Sequence, residues 1–315
     1  MPGVPPARYA YLGPAGTFTE EALRHVPAAS GSTPELEPCT TVPAALDAVR
    51  RGDATAAVVP IENSVEGAVS ATLDELATGE PLVITREVLL PIRFVLAARH
   101  DTSLDKVGVL ATHPHAAAQC RGWLAEHLPD VQVIPSSSTA AAAADVAGGE
   151  GYDAAVASPL AVEHYGLDVL ADNIGDRTDA VTRFVLVSRP SAAALTATGA
   201  DRTSLAAFIR DDHPGALLEI LTEFSVRGVN LTRIDSRPTG NGHGRYCFSI
   251  DCEGHVLDHR VGEALSALRR ICADVRYLGS YPRADNTPPT VRGGTTDADY
   301  RDAAAWLTQI RTGRL

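Results

Sequence analysis

Ala54-Thr55-Ala56-Ala57-Val58-Val59-Pro60 is an apolar run of strand length that passes directly into Ile61-Glu62-Asn63-Ser64-Val65-Glu66-Gly67. Beyond this polar stretch, Val69, Leu73 and Leu76 fall at i, i+4 and i+7, one face of a helix that Gly79 stops. Asn63 and Ser64 read as the start of that helix, where side-chain and backbone donors converge. A buried strand, a polar loop and a helix make the repeating unit of an α/β fold.

The unit recurs on both sides. Residues 8–12 form a short strand, Gly13-Pro14-Ala15-Gly16-Thr17 a turn, and Thr17 or Thr19 caps the next helix, with Glu20 and Glu21 in its first turn. Another helix starts at Thr41 with Pro43 behind it and stops at Gly52. Downstream, strands at Val107–Ala111, Val131–Ile134 and Tyr152–Ala157 alternate with helices, and the loops between them are Thr112-His113-Pro114-His115 and Ser136-Ser137-Ser138-Thr139. Val88–Ala97 and Val181–Val187 are longer apolar runs, suited to cross between two lobes. Polar loops at the carboxyl ends of strands and the amino ends of helices are where open α/β sheets bind ligands. No GxGxxG or GxxxxGK[ST] spacing occurs, so neither a dinucleotide nor ATP is expected.

The run at 181–187 carries Thr182-Arg183-Phe184 at its start. A lone buried guanidinium is costly, so Arg183 should face a carboxylate or a cleft. Facing one cleft with Thr182, it would set a fixed cation beside a hydroxyl donor. The alternative is an edge strand with a solvated Arg and a β-favouring Thr.

At 315 residues the chain exceeds one core, and 45% hydrophobic residues is ordinary for a globular protein. Residues 1–6 lack the basic head and apolar core of a signal peptide, and no run is long enough to span a membrane, so a cytoplasmic protein is expected. Five scattered cysteines without a CxxC pair indicate neither disulfides nor a zinc site. The net charge of −12 argues against nucleic acid as a partner, and Lys106 is the sole lysine, which leaves little room for Schiff-base chemistry.

After an Ala/Thr/Ser linker at Ser191–Ala200 the pattern changes. A strand at Thr203–Arg210, a helix at Gly215–Arg227, and strands at Val229–Arg237 and Arg245–Cys252 around a Gly/Asn turn come first. A helix at Asp258–Ala273 and a strand at Val275–Tyr281 complete a βαββαβ order, the ferredoxin-like arrangement. Residues 284–298 are Pro/Gly-rich and read as extended or disordered, and Asp299–Arg311 reads as a last helix.

In this order, Tyr11-Leu12-Gly13-Pro14-Ala15-Gly16-Thr17-Phe18, Pro60 to Gly67, His113-Pro114 with Gln119-Cys120, and Thr182-Arg183-Phe184 resemble prephenate dehydratases carrying a C-terminal ACT regulatory domain. Gly215-Ala216-Leu217, Asn230-Leu231, Ser236-Arg237-Pro238 and Gly279-Ser280-Tyr281-Pro282 extend the resemblance through the second domain. His115, Ala180 and Asp235 stand where that family usually has Gln, Asn and Glu. The resemblance implies a two-lobed, periplasmic-binding-protein-like catalytic domain over 1–190, a ferredoxin-like ACT domain over 201–283 and a tail over 284–315.

It also implies the chemistry. Prephenate, a dicarboxylate with a ring hydroxyl, loses carbon dioxide and hydroxide to become phenylpyruvate on the way to phenylalanine. Aromatisation drives the reaction, and no cofactor or metal is needed. Thr182 is the family's essential residue, a donor to the departing oxygen. Arg183 would bind a carboxylate or order the site, and Phe184 would line the ring pocket or simply pack in the core. Asn63 and Ser64 would contact substrate, as would Thr17, Thr112 and His113. Gly215, Ala216, Leu217, Asn230, Asp235, Ser236, Arg237 and Pro238 would bind L-phenylalanine between the ACT domains of a homodimer or homotetramer. Two other functions are open on the residues alone: an arogenate dehydratase, and a non-catalytic amino-acid sensor, against which the hydroxyl of Thr182 speaks.

Overall fold

The computed structural model describes residues 7–26, 34–191, 196–238 and 246–314. Most of the N-terminal segment, part of the linker and the Gly/Asn turn lie outside them. Two compact units are formed, Met1–Thr72 with Val88–Val187, and Leu73–Glu87 with Ser188–Leu315.

Two sheets draw most of their strands from the first unit. The chain runs β1 (Arg8–Leu12), α1 (Phe18–Arg24), β2 (Glu35–Cys39), α2 (Val42–Arg51), β3 (Ala56–Asn63), β4 (Gly67–Ala68), α3 (Ser70–Thr78) and β5 (Val83–Pro91). It then forms β6 (Val95–Ala98), β7 (Val109–Thr112), α4 (Pro114–Gln119), α5 (Arg121–His127), β8 (Gln132–Pro135), α6 (Thr139–Gly148), β9 (Ala154–Ala157), α7 (Pro159–Tyr165) and β10 (Asp168–Ala171), and returns along β11 (Val181–Ser188). One sheet has the order β2-β1-β3-β11-β5 with β4 paired to β3, and the other β10-β6-β9-β7-β8. β1 is parallel to β2 and β3, and β7 to β8 and β9, so their carboxyl ends and following loops gather on one side.

Local chemistry sets these elements. Thr41 accepts the Ala44 N–H at 3.2 Å, Pro43 occupies the first turn of α2, and Gly52 closes it at φ 82°. Ala140, Ala142, Ala143 and Val146 of α6 are fully buried, and such small side chains let the helix lie close against β9. The strand expected over Val88–Ala97 is instead two, β5 and β6. After Pro91, the Ile92 N–H donates to Ala180 O at 2.8 Å and Phe94 O accepts from the Ile174 N–H at 2.9 Å. There the backbone leaves one sheet for the other, a break that an unbroken apolar run conceals.

The second unit holds β12 (Asp201–Phe208), α8 (Ala216–Ser225), β13 (Leu231–Pro238), β14 (Tyr246–Glu253), α9 (His259–Ile271), β15 (Asp274–Pro282) and α10 (Asp297–Arg311). The sheet order β13-β14-β12-β15 is antiparallel throughout and ferredoxin-like. Leu205, Ile250 and Cys252 form its core with Ile220 and Phe224 of α8 and Val261 and Leu268 of α9. Cross-strand neighbours of opposite parity are polar: Ser204 donates to the fully buried Asp251 at 2.6 Å, and Arg233 donates to the same carboxylate at 2.9 Å.

Leu73–Glu87 belongs to this unit. Arg202 pairs with Glu87 at 2.7 Å, Arg237 with Asp74 at 3.0 Å, and the Arg276 guanidinium donates to Gly79 O. Gly279, at φ 135°, passes so close that a Cβ would sit 2.2 Å from Ile84 O, so no other residue fits. Among the described residues no helix is long and apolar enough to cross a membrane.

Candidate active site

A cleft of about 1220 Å³ opens between the two sheets of the first unit. Leu12, Thr17 and Phe18 contribute from the β1–α1 connection, Asn63, Glu66 and Ser70 from the β3–α3 segment, and Thr182 and Phe184 from β11. The other sheet supplies His113 and His115 around the start of α4, and Ser137, Ser138 and Thr139 at the start of α6.

Strand parity divides the 182–184 triplet. Thr182, 7% exposed, and Phe184 face the cleft, whereas Arg183 is not on its wall. Arg183 is buried and pairs with Glu62 at 3.2 Å, so of its two expected settings it takes the carboxylate. It ties β11 to the end of β3 through that ion pair. Phe184 is 2% exposed within the core cluster and also stands on the cleft wall.

Asn63 does not begin a helix. It ends β3 and opens a tight turn, its Oδ1 accepting the N–H groups of Val65 at 2.8 Å and Glu66 at 3.1 Å, and α3 starts later, at Ser70. An Asx turn of this kind competes with helix initiation. With Oδ1 so occupied, Nδ2 is fixed toward Thr182 and donates to its Oγ1 at 2.9 Å. Thr182 Oγ1 is thereby an acceptor from Asn63, and its own proton remains for another partner. Ser64 is bound to backbone instead: its Oγ accepts the Val181 N–H at 2.9 Å and its N–H donates to Val181 O at 2.9 Å. Ser64 therefore locks β11 beside Asn63 and is not among the residues that line the cleft.

Thr17 lines the cleft as the cap of α1, accepting the Glu20 N–H at 3.4 Å and donating to Leu12 O at 3.0 Å. Glu20 itself is buried and holds the loop before α1, accepting the Gly16 N–H at 2.7 Å and two bonds from Arg24. Burial acts to raise its pKa, but the Gly16 N–H and Arg24 outweigh it and leave the carboxyl below its usual range. Thr112 is misplaced by the sequence reading: it is fully buried, donates to Val156 O at 2.9 Å and does not reach the cleft. His113 does reach it. Its Nδ1 caps α4 by accepting the His115 N–H at 3.3 Å, and burial, aided by the neighbouring His115, lowers its pKa.

Ser70, Ser137, Ser138, Thr139, Glu66 and His115 line the cleft beyond the residues expected. The signal for the serines was visible, a polar loop directly before an alanine-rich helix. Ser138 caps α6 by accepting the Ala141 N–H at 2.9 Å, and the start of that helix lies on the cleft wall.

In the second unit, Gly215 caps α8 at φ 96° with open space around a would-be Cβ. Its constraint is the left-handed backbone and not crowding. Ala216 lines a small pocket of about 110 Å³ with Arg210, His213 and Glu219. Leu217, Asn230, Ser236 and Pro238 are exposed, and Asp235 Oδ2 is buried without a hydrogen-bond partner among the described residues. Arg237 is engaged by Asp74, a partner that sequence reading missed because it lies 163 positions away.

A family profile described as prephenate dehydratase matches residues 9–192, and an ACT domain profile matches 204–270. A prephenate dehydratase of Amycolatopsis methanolica is 51% identical over 98% of this chain and 99% of its own, and one of Mycobacterium marinum is 49% identical over 98% and 97%. The crystal structure of prephenate dehydratase in complex with L-Phe from Arthrobacter aurescens has a TM-score of 0.92 at 52% identity, covering 97% of this chain and 100% of that one. A structure described as GqqA, a novel type of quorum quenching acylase, has a TM-score of 0.76 at 31% identity and covers 87% and 97%.

Proposed function

The chain belongs to the prephenate dehydratase family with a C-terminal ACT domain, and from that premise we infer how its cleft performs the decarboxylating dehydration of prephenate to phenylpyruvate. The observation that carries the reading is the Thr182 hydroxyl held by Asn63 on the wall of the cleft. The prephenate dianion takes up one proton and releases carbon dioxide and water. Thr182 donates to the departing ring oxygen, and the bond from Asn63 withdraws charge from Oγ1 as it develops. His113, whose Nδ1 accepts a backbone N–H, carries its proton on Nε2 as a second donor. The start of α6 receives the carboxylate that is retained. The carboxylate that is lost sits toward Ile92, Phe94 and Phe184, where poor solvation favours release of its charge.

L-phenylalanine, bound by the Arthrobacter aurescens relative, is the effector of this chain in the same reading. It binds at the Gly215 turn and β13 between the ACT units of two copies. Support comes from the exposed apolar side chains of Leu218 on α8, Val226 at its C-terminal cap and Ile234 on the edge strand β13. Five free cysteines suit a reducing cytoplasm.

Arogenate, which carries an ammonium in place of the keto group, is a second substrate to weigh, because Glu66 puts a carboxylate on the cleft wall. The deciding assay follows ultraviolet appearance of phenylpyruvate from prephenate, with phenylalanine release from arogenate and hydrolysis of a model N-acyl amide measured alongside. Preference for arogenate, or acyl hydrolysis without prephenate turnover, would overturn the reading.

A further inference from the structure

Prephenate brings two negative charges into a cleft whose described lining contains neither Arg nor Lys. Helix starts supply partial charges, but a full positive charge can come there from just two side chains, His113 and His115. Their situations differ. His113 Nδ1 is committed as the acceptor that caps α4, so protonating it would break the cap. Its burial disfavours a charge further. His115 lies in the first turn of the same helix with its ring edge-on to His113, centroids 5.0 Å apart, and is exposed. Two imidazolium rings at that distance repel, and of the two His115 is the one whose protonation would break no helix cap.

We propose that His115 is a substrate-binding residue that meets one carboxylate of prephenate as an imidazolium and so sets affinity for the dianion. This rests on the prephenate reading above. The other titratable groups on the wall are Glu66, Cys39 and His113. Cys39 stays a neutral thiol because burial pushes its pKa up. Glu66 lies near enough to act on His113 and opposes a second anion, which sharpens the need for a local cation. Histidine side chains change charge between about pH 5 and 8, where both carboxylates of the substrate are already ionised.

The test is the KM for prephenate of the full chain from pH 5.5 to 8, with His115→Gln and His115→Arg beside it. In the native protein KM should rise about five- to tenfold across the range, the value of one charge-assisted hydrogen bond at a wet site. His115→Gln should hold the high KM throughout and His115→Arg the low one, with kcat changed far less than KM. A pH slope that survives in His115→Gln, or a flat native profile, would overturn the proposal while leaving prephenate turnover standing. Absence of prephenate turnover in the native protein would overturn both. Thermal melts of the two variants report whether each is folded.

Discussion

Asn63 Nδ2 and Thr182 Oγ1 lie 2.9 Å apart although 119 positions separate them in the chain. The amide orientation is not free, since two backbone N–H groups occupy its oxygen. The pair thus acts as one device, a turn that aims an amide and an amide that aims a hydroxyl. Thr182→Val keeps the shape and removes the donor, and kcat should fall about 10²–10³-fold, as for loss of one transition-state donor. Asn63→Ala should lower kcat less, and in the double variant the two losses should fall well short of adding, because residues that act as a unit are non-additive. Full additivity in steady-state kinetics would separate them.

Arg183 gives the opposite expectation. Its side chain is 5% exposed against 37% for Glu62, so Arg183→Leu strands a carboxylate that water can still reach. A loss of about 1–3 kcal/mol follows, a fall in Tm of roughly 5 °C, with kcat kept within about threefold. A large fall in kcat with unchanged Tm would return Arg183 to the reaction.

Arg237 can influence the phenylalanine response by touching the effector or by holding Asp74. Asp74→Ala distinguishes the two. If the ion pair is what matters, Asp74→Ala and Arg237→Ala should shift the phenylalanine dose–response of turnover alike. Loss of response in Arg237→Ala alone would assign Arg237 to the effector. Stability should change little in either, the pair being partly solvated, by about 0–1 kcal/mol.

Glu20 predicts an acid sensitivity. Its folded pKa is lowered, so its contribution to stability is present above the unfolded carboxyl pKa and is lost as pH falls through the folded value. Between pH 5 and 3 the native protein should therefore lose more stability than Glu20→Gln, read as Tm against pH. Parallel curves would remove Glu20 from the acid response.

Much of this was readable beforehand. Caps such as Thr41 and stops such as Gly52 are local, and the strand–loop–helix repeat and the βαββαβ order follow from periodicity. What escaped depended on partners distant in sequence. Period two says that Thr182 and Arg183 face opposite ways, but not which of them faces the cleft. Asn63 and Ser64 have the composition of a helix start, yet the bond of Asn63 to Thr182 and the pairing of Ser64 with Val181 decide for a turn. Thr112 reads as a loop residue like Thr17, but it closes β7 and its hydroxyl donates to Val156 O.

The excursion at Leu73–Glu87 bears on modularity. Asp74, Gly79 and Glu87 find their partners in the C-terminal unit, and Gly279 exists to let Ile84 pass. A gene cut near residue 190 would therefore sever a folded body and not a linker, leaving Glu87 buried without Arg202. Recombination that exchanges the regulatory half between relatives must carry residues 73–87 with it, or co-vary them. In such a lineage the regulatory half is inherited with a piece of the catalytic half, and the two would evolve as one gene segment despite matching two separate families.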